Sequence, residues 1–360
     1  MFNFNKKKIA VVGAGNAGCI TALHYYRHLD PNKWDIEIYY NSISPIERVG
    51  QGTTLLPTEL IGLVLNIDWY NNPIDATFKS GFMYEGWGKK QDKIFHSFPL
   101  NGMAIHYVPQ KLSQAVLESG YFKVIDKPIS DPEKEIDADI IFDCRGRNNM
   151  DKSNYDKLIN PVNSVLLYDT KEPDFSLHYT NCIATPNGWT FVIPNKKSVS
   201  YGYLYNDTVT SLEEATNDFL ERFELPEVDG ELHFSNYVAK NMFVGERTVL
   251  NGNRYSFVEP MEATSLDTYY LICQSAWNHF FSGKEKDICN IEMRTVVKEI
   301  QNFILWHYQS GSKYDSPFWN YAKSLSFKPD YKFKSMMKGS VENKYGNWGS
   351  KSFKIWSMNT

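Results

Sequence analysis

Ile9 to Val12 form a short apolar run, followed by the small residues Gly13-Ala14-Gly15-Asn16-Ala17-Gly18 and then by Ile20, Leu23 and Tyr26 at helical spacing. The pattern predicts a strand, a tight turn and a helix. Asp30-Pro31-Asn32 marks a turn, and Trp34 to Tyr40 alternates as a second strand. A βαβ unit therefore opens the chain. Farther on, Ala138 to Asp143 reads as a buried strand ending in Asp143-Cys144-Arg145-Gly146, and Ala263 to Ile272 reads as a helix. Between these elements, residues 61–99 and 151–245 form aromatic, Pro- and Asn-rich strands and loops.

The glycines of the opening unit have distinct physical uses. Gly13 allows the turn, Gly15 lets backbone approach a pyrophosphate at the helix N-terminus, and Gly18 permits close packing of helix on strand, with Ala14 and Ala17 filling the small positions between. Strand and helix both stand where a dinucleotide site requires them. The acidic residue expected at the end of the second strand to bind a ribose is absent: Tyr40-Asn41 occupies that point. Asn41 supplies a hydrogen bond there without a charge. Asp143 to Gly146 would bring backbone beside a cofactor at a strand's carboxyl end, although the same pattern suits an ordinary end of a core strand.

Composition narrows the partners. A chain of 360 residues with 42% apolar residues buries a large core in one or two domains. A net charge of −4 provides no basic surface for nucleic acid. The 5 cysteines lack a Cys-x-x-Cys pair, and the 8 histidines have no ligand spacing, so neither a disulfide framework nor a metal site is expected. Lys6-Lys7-Lys8 precedes an apolar run too short for a signal peptide, and no run is long enough for a membrane span, so a cytoplasmic location is expected. There is no Gly-x-Ser-x-Gly elbow. The segment after Trp319, rich in Lys, Ser and Asn, reads as a solvated face.

Two stretches carry more specific chemistry. Val258-Glu259-Pro260-Met261-Glu262-Ala263-Thr264-Ser265-Leu266 resembles the Glu-Pro-Leu-Glu-Ser-Thr-Gly segment of the flavin-dependent halogenases, and Gly188-Trp189-Thr190-Phe191-Val192-Ile193-Pro194 is similar to their Trp-x-Trp-x-Ile-Pro motif. Lys79, after Phe78, stands at the position of the family's active lysine, and Val49-Gly50-Gln51-Gly52-Thr53 resembles its Val-Gly-Glu-Ala-Thr flavin loop. Asp143-Cys144-Arg145-Gly146 is similar to its Asp-Cys-Ser-Gly, Val199 to Tyr205 to the strand after the Trp motif, and His307-Tyr308 with Asp315 to Trp319 to its closing motifs. The matches are collinear. Departures are Phe191 for the second Trp, Gln51 for the acid, Gly252-Asn253 for Gly-Asp, Ala263 for Ser and Ser265 for Gly. Most of the family's long C-terminal substrate-covering part has no counterpart here, which implies a short member with a more open site.

The resemblance implies an α/β fold: an FAD-binding three-layer ββα unit, Rossmann-like and of the aromatic-hydroxylase type, with an added β-sheet and helical substrate layer. On this reading residues 1–60, 100–150 and 246–283 form a discontinuous FAD-binding domain, and 61–99, 151–245 and 284–360 a substrate-side domain. It further implies that reduced FAD and O2 oxidise a halide ion to hypohalous acid, which passes to Lys79 beside a small aromatic substrate. Glu262 would accept the ring proton, and Thr264 and Ser265 would hold the halide at a helix start. Gly13, Ala14, Gly15, Ala17, Gly18, Asn41, Gly50, Gln51, Asp143, Gly146 and Asn253 would hold FAD. Trp189, Phe191 and Pro194 would wall the flavin from the substrate, with His96 and Phe98 on the substrate side. A separate flavin reductase would supply FADH2, and a homo-oligomer is allowed. Taken singly, each residue has a plainer reading: a surface lysine, a capping glutamate, core aromatics, a buried histidine. Two alternatives stand beside the halogenase: a flavin monooxygenase that hydroxylates aromatics, and a redox-silent flavin-binding or interaction protein derived from the family.

Overall fold

The computed structural model describes residues 6–46, 49–99, 102–147 and 149–325; the lysine-rich end expected as a solvated face lies mostly outside them. The opening pattern folds as its periodicity predicts. Strand Lys7–Val12 leads through Gly15 into helix α1, Asn16–His28, and the chain returns as strand Trp34–Tyr40, parallel to the first. A six-stranded sheet grows around this unit in the order Phe243–Val244, Thr248–Leu250, Ile140–Asp143, Lys7–Val12, Trp34–Tyr40, Lys123–Asp126. All neighbours in it run parallel except the antiparallel edge strand Phe243–Val244. Ile9 and Val11 face the main core, while Ala10 and Val12 face a smaller cluster with Ile129, Ile136 and Ile141, the alternation a strand buried on both faces imposes.

Helices α2, Leu55–Val64, and α3, Pro109–Leu117, pack on α1, and the short α4 spans Pro132–Glu135. A seven-stranded sheet runs Gly230–His233, Ser164–Asp169, Val199–Tyr205, Gly188–Pro194, Thr180–Thr185, Gly81–Glu85, Lys93–Ser97. Its outer face is covered by α5, Leu212–Phe223, which starts at a capping box of Ser211 with Glu214 and buries Ala215 and Phe219 against Tyr203 and Tyr205. Its inner face points Trp189, Phe191, Ile193 and Leu204 into the main core. Helices α6, Ser265–Ser282, α7, Lys286–Ser310, and α8, Pro317–Ser324, complete that core. Tyr25 of α1 donates its hydroxyl to the Cys273 carbonyl of α6 at 3.1 Å, tying the first helix to the sixth.

Segments 61–99 and 151–245 supply every strand of the seven-stranded sheet. Three of their strands cross to the other side: Thr77–Lys79 pairs with Ala104–Tyr107, Tyr237–Ala239 pairs with Ser256–Phe257, and Phe243–Val244 closes the six-stranded sheet. One apolar cluster spans both parts, so the two-domain division remains a proposal. All 5 cysteines are free and buried. Among the described residues no helix is long and apolar enough to cross a membrane, and no group of three or more His, Cys, Asp or Glu is arranged to hold a metal.

Candidate active site

Three glycines shape the first turn. Gly13 has φ +114, and a Cβ there would lie 2.5 Å from the Cys144 carbonyl oxygen; one on Gly18 would lie 1.8 Å from that of Gly13. These two glycines serve packing. Gly15, the N-cap of α1, has nothing within 4 Å of its Cβ position, because that position opens into a cavity of about 540 Å³. Gly13, Ala14, Ala17, Asn41 and Gly146 also line the cavity, with Lys127 and Arg145 as its charged groups. An α-helix N-terminus, open backbone and the Lys127 ammonium beside a cavity that no described carboxylate lines suit a dinucleotide's pyrophosphate. Asn41 accepts the Ile43 N–H through Oδ1 at 3.2 Å, which leaves its amide hydrogens for a ribose.

Asp143 does not line this cavity. Its buried carboxylate receives Arg145 Nε at 2.8 Å and Nη2 at 2.7 Å, and Arg254 Nε at 3.0 Å, so it clamps two arginines instead of reaching a ligand. Neighbouring Cys144, Arg145 and Gly146 take the lining position. Gly18 likewise lies behind the lining, against the strand.

A second cavity of about 290 Å³ shares Asn16, Asn253 and Tyr269 with the first. Gly50, Gln51, Gly52, Trp189, Phe191 and Ser265 are among the residues that line it. The two cavities together match the two halves of FAD: a polar end for the adenosine diphosphate and an apolar end for a flat ring. Tyr269 donates to Asn253 Oδ1 at 3.1 Å, which orients the amide between them. The Phe191 ring lies across Gly202, where a Cβ would come within 2.0 Å of Cζ. Pro194 lies off the cavity; its carbonyl accepts the Thr77 hydroxyl at 2.8 Å.

Lys79 is fully buried and lines neither cavity. Its Nζ donates to the Thr53 carbonyl at 3.1 Å and sits 3.8 Å from the centre of the Phe82 ring and 5.5 Å from that of Phe98. Burial pushes its pKa from 10.5 down to about 7, a fall opposed by Glu262 among other groups. Gly52 stands between Lys79 and the second cavity, since a Cβ at Gly52 would lie 2.9 Å from Nζ. His96 pairs across the sheet with Phe82, and Phe98 packs edge-on against the same ring at 5.7 Å; neither lines a cavity.

Glu262 reaches the second cavity from a strained loop. It has φ +66 and Ala263 has φ +50, two successive non-glycine residues in the left-handed region. Each costs about 1 kcal/mol or more and is held by its surroundings. The carboxyl is buried and does not cap α6, whose N-cap is Thr264. It accepts the Tyr84 hydroxyl and lies 3.0 Å from His307 Nε2. Burial pushes this carboxyl up, but the hydrogen bond and charge of His307, with Tyr84, hold it below the usual range. Ser265, the first residue of α6, faces the cavity, while Thr264 is buried behind it. Asp267 in the same turn takes the Thr54 hydroxyl at 2.6 Å.

The sequence model of the tryptophan halogenase family matches residues 8–119 and 118–358. This chain belongs to the tryptophan halogenase family. Among characterised halogenases it is 27% identical over 206 residues to tryptophan 7-halogenase RebH of Lentzea aerocolonigenes, covering 52% of this chain and 39% of that protein. It is 23% identical over 278 residues to tryptophan 6-halogenase ThaL of Streptomyces albogriseolus, covering 72% of this chain and 52% of that protein. The matched region thus spans about half or less of these relatives. Solved halogenase structures superpose over nearly the whole chain. The tryptophan 6-halogenase SttH of Streptomyces toxytricini does so with a TM-score of 0.82 at 18% identity, over 98% of this chain and 90% of that one. BrvH, a flavin-dependent halogenase from Brevundimonas sp. BAL3, also gives 0.82, at 15% identity over 98% of this chain and 89% of its own. The fold is therefore the FAD-binding, Rossmann-like fold of the flavin-dependent halogenases.

Sequence reasoning gave no site role to Tyr84, Glu259, His307 or Tyr308. His307 and Tyr308 are adjacent on α7, and between them they meet both glutamates of the 259–262 loop. The pair stood in the sequence as a motif, but its partners lie 45 and 49 residues away, a distance that periodicity does not bridge.

Proposed function

We propose that this chain is an FADH2- and O2-dependent halogenase of free, electron-rich aromatic molecules such as indoles and phenols. The observation that carries the reading is the burial of Lys79 within reach of the Glu262 charge, one glycine behind the cavity that bears Trp189 and Phe191. A lysine stripped of water at that depth has a cost that a structural role does not repay.

FAD would rest with its pyrophosphate on the Gly13–Gly18 turn, its ribose at Asn41 and its ring against Gly50, Gln51 and Asn253. When bound and reduced, FAD with O2 would supply the oxidation of a halide ion to hypohalous acid, the two electrons and two protons of FADH2 leaving the second oxygen atom as water and a further proton from solvent completing the hypohalous acid. Thr264 and Ser265 would hold the halide at the first turn of α6, where backbone N–H groups and the helix dipole favour an anion. Trp189, Phe191 and Pro194 exclude the substrate ring from the flavin side, and His96 and Phe98 shape the far side around Phe82. The Lys79 ammonium hydrogen-bonds the oxygen of hypohalous acid and polarises the O–X bond toward the ring. A ring carbon takes the halogen, the hydroxide leaves as water with one proton, and Glu262 accepts the proton lost from that carbon. A separate reductase delivers the FADH2.

The test is mass spectrometry of reactions containing the protein, FAD, a flavin reductase, NADH and a panel of indoles and phenols. Chloride, bromide or iodide is supplied separately, and catalase removes free peroxide. Halide-dependent mass shifts that vanish in Lys79→Ala support the halogenase. An oxygen-only shift replaces it with a hydroxylase, and no product together with no bound FAD replaces it with a non-enzymatic interaction protein derived from the family.

A further inference from the structure

Glu259 is the other glutamate of the loop and is fully buried. An indole N–H is only a donor, so the contact of Trp189 Nε1 with Tyr308 Oη at 2.8 Å fixes the phenol oxygen as acceptor there. The phenol's single hydrogen then points to Glu259 Oε1. The chain of donation runs Trp189 to Tyr308 to Glu259 and ends there, for Oε2 has no protein partner among the described residues. Burial pushes the carboxyl up to about 8, and no described Lys, Arg or His forms an ion pair with it.

Trp189 is the beginning of this chain and a lining residue of the second cavity. Its indole is boxed on other sides by Trp87 at 6.4 Å and Phe191 at 6.3 Å, both edge-on. Those contacts are apolar, and the polar anchoring of the ring is at its indole nitrogen, which donates to Tyr308 and also acts as a donor toward the Glu259 carboxyl. Tyr308 in turn is anchored by α7 and by Trp87 at 5.8 Å.

We infer that Glu259 is a positioning residue: as an acceptor it holds Tyr308, and through Tyr308 it sets the Trp189 ring that walls the flavin-side cavity. The inference rests on the halogenase reading for its consequence, the yield of halogenated product per FADH2 oxidised, but not for the contact itself. The required property is an acceptor oxygen of this shape, which a glutamine also has.

Two measurements on the full chain separate these levels. The first uses the flavin-free protein labelled with 5-fluorotryptophan, its Trp189 signal assigned through Trp189→Phe. In the fluorine NMR spectrum the Trp189 resonance stays sharp and in place in Glu259→Gln. It shifts or broadens in Glu259→Leu and in Tyr308→Phe, which keeps the ring and loses only the hydroxyl. The second measures product against peroxide with FADH2 supplied. Product per FADH2 falls about tenfold in Tyr308→Phe and Glu259→Leu, with a matching gain in peroxide. An unmoved Trp189 resonance in both Leu and Phe variants overturns the inference, as does a Gln variant that behaves like the Leu variant. If the unaltered protein makes no halogenated product, the halogenase reading fails and the NMR result alone decides the contact.

Discussion

His307 Nε2 lies 3.0 Å from Glu262 Oε1, while the opposite ring nitrogen, Nδ1, lies 2.7 Å from the Phe303 carbonyl oxygen. A carbonyl only accepts, so Nδ1 carries a hydrogen, and the bond at Nε2 shares one proton between imidazole and carboxyl. Helix α7 thereby controls the ionisation of a glutamate on a distant loop. Tyr84 donates to the same oxygen, which leaves Glu262 Oε2 as the atom available to an incoming proton.

Removing that control has a defined effect. His307→Leu is expected to lower the rate of halogenation by ten- to a hundredfold while FAD affinity stays within twofold, because His307 lines neither cavity. His307→Gln, which retains a donor, recovers part of the rate. Single-turnover product formation and FAD titration check both; an unchanged rate in the Leu variant removes Glu262's ionisation from the mechanism.

Lys79 predicts a trade of stability against activity. Its folded pKa is lowered from 10.5 to about 7, so between these values the unfolded chain binds more protons than the folded one. The cost of burying the charge is thus fully present below pH 7 and is relieved as pH rises toward 10.5. Lys79→Met is expected to stabilise the protein by on the order of a few kcal/mol at pH 6, with the difference shrinking by pH 10, and to abolish product. Melting temperatures of the two proteins from pH 6 to 10 test the sign.

The glycines divide into those the fold needs and the one the ligand needs. Gly18→Ala forces a Cβ to 1.8 Å from a carbonyl oxygen and is expected to lose the native fold or several kcal/mol of stability. Gly15→Ala meets nothing within 4 Å and is expected to melt like the parent, while its methyl group, pointing into the first cavity, weakens FAD binding at least tenfold. Thermal melts and flavin fluorescence titration distinguish the two.

Gly52 lies between the second cavity and the Lys79 ammonium. Gly52→Ala presses on Nζ, the end of a flexible side chain, and is expected to slow halogenation severalfold; Gly52→Val is expected to abolish it. FAD affinity should hold in the Ala variant. Equal rates in all three proteins would show that hypohalous acid takes another path.

The βαβ opening, the seven-residue strand Gly188–Pro194 and the helix after Thr264 were legible because each depends on neighbours in the chain: alternation, turn glycines, a helix start. The predicted strand over 138–143 begins later, at Ile140, since Asp139 spends its carboxylate on the Lys8 N–H at 2.8 Å. The helix predicted from Ala263 starts at Ser265, because Glu262 and Ala263 take left-handed backbone that no propensity would assign to Glu or Ala. Asp143, expected beside the cofactor, lies off the first cavity for a similar reason. Arg145, two residues on, and Arg254, 111 residues on, both turn to its carboxylate.

By itself the sequence determined the family, the order of strands and helices around the glycine turn, and which lysine and glutamate to examine, since motif residues carry their spacing with them. Only the tertiary structure decided what state those residues are in. The depth that strips Lys79 of water, the imidazole that keeps Glu262 ionised and the phenol that ties Trp189 to Glu259 arise from segments distant in the chain, Trp189 and Tyr308 being 119 residues apart. Desolvation and hydrogen bonding act through space, and no local pattern records which buried groups will meet.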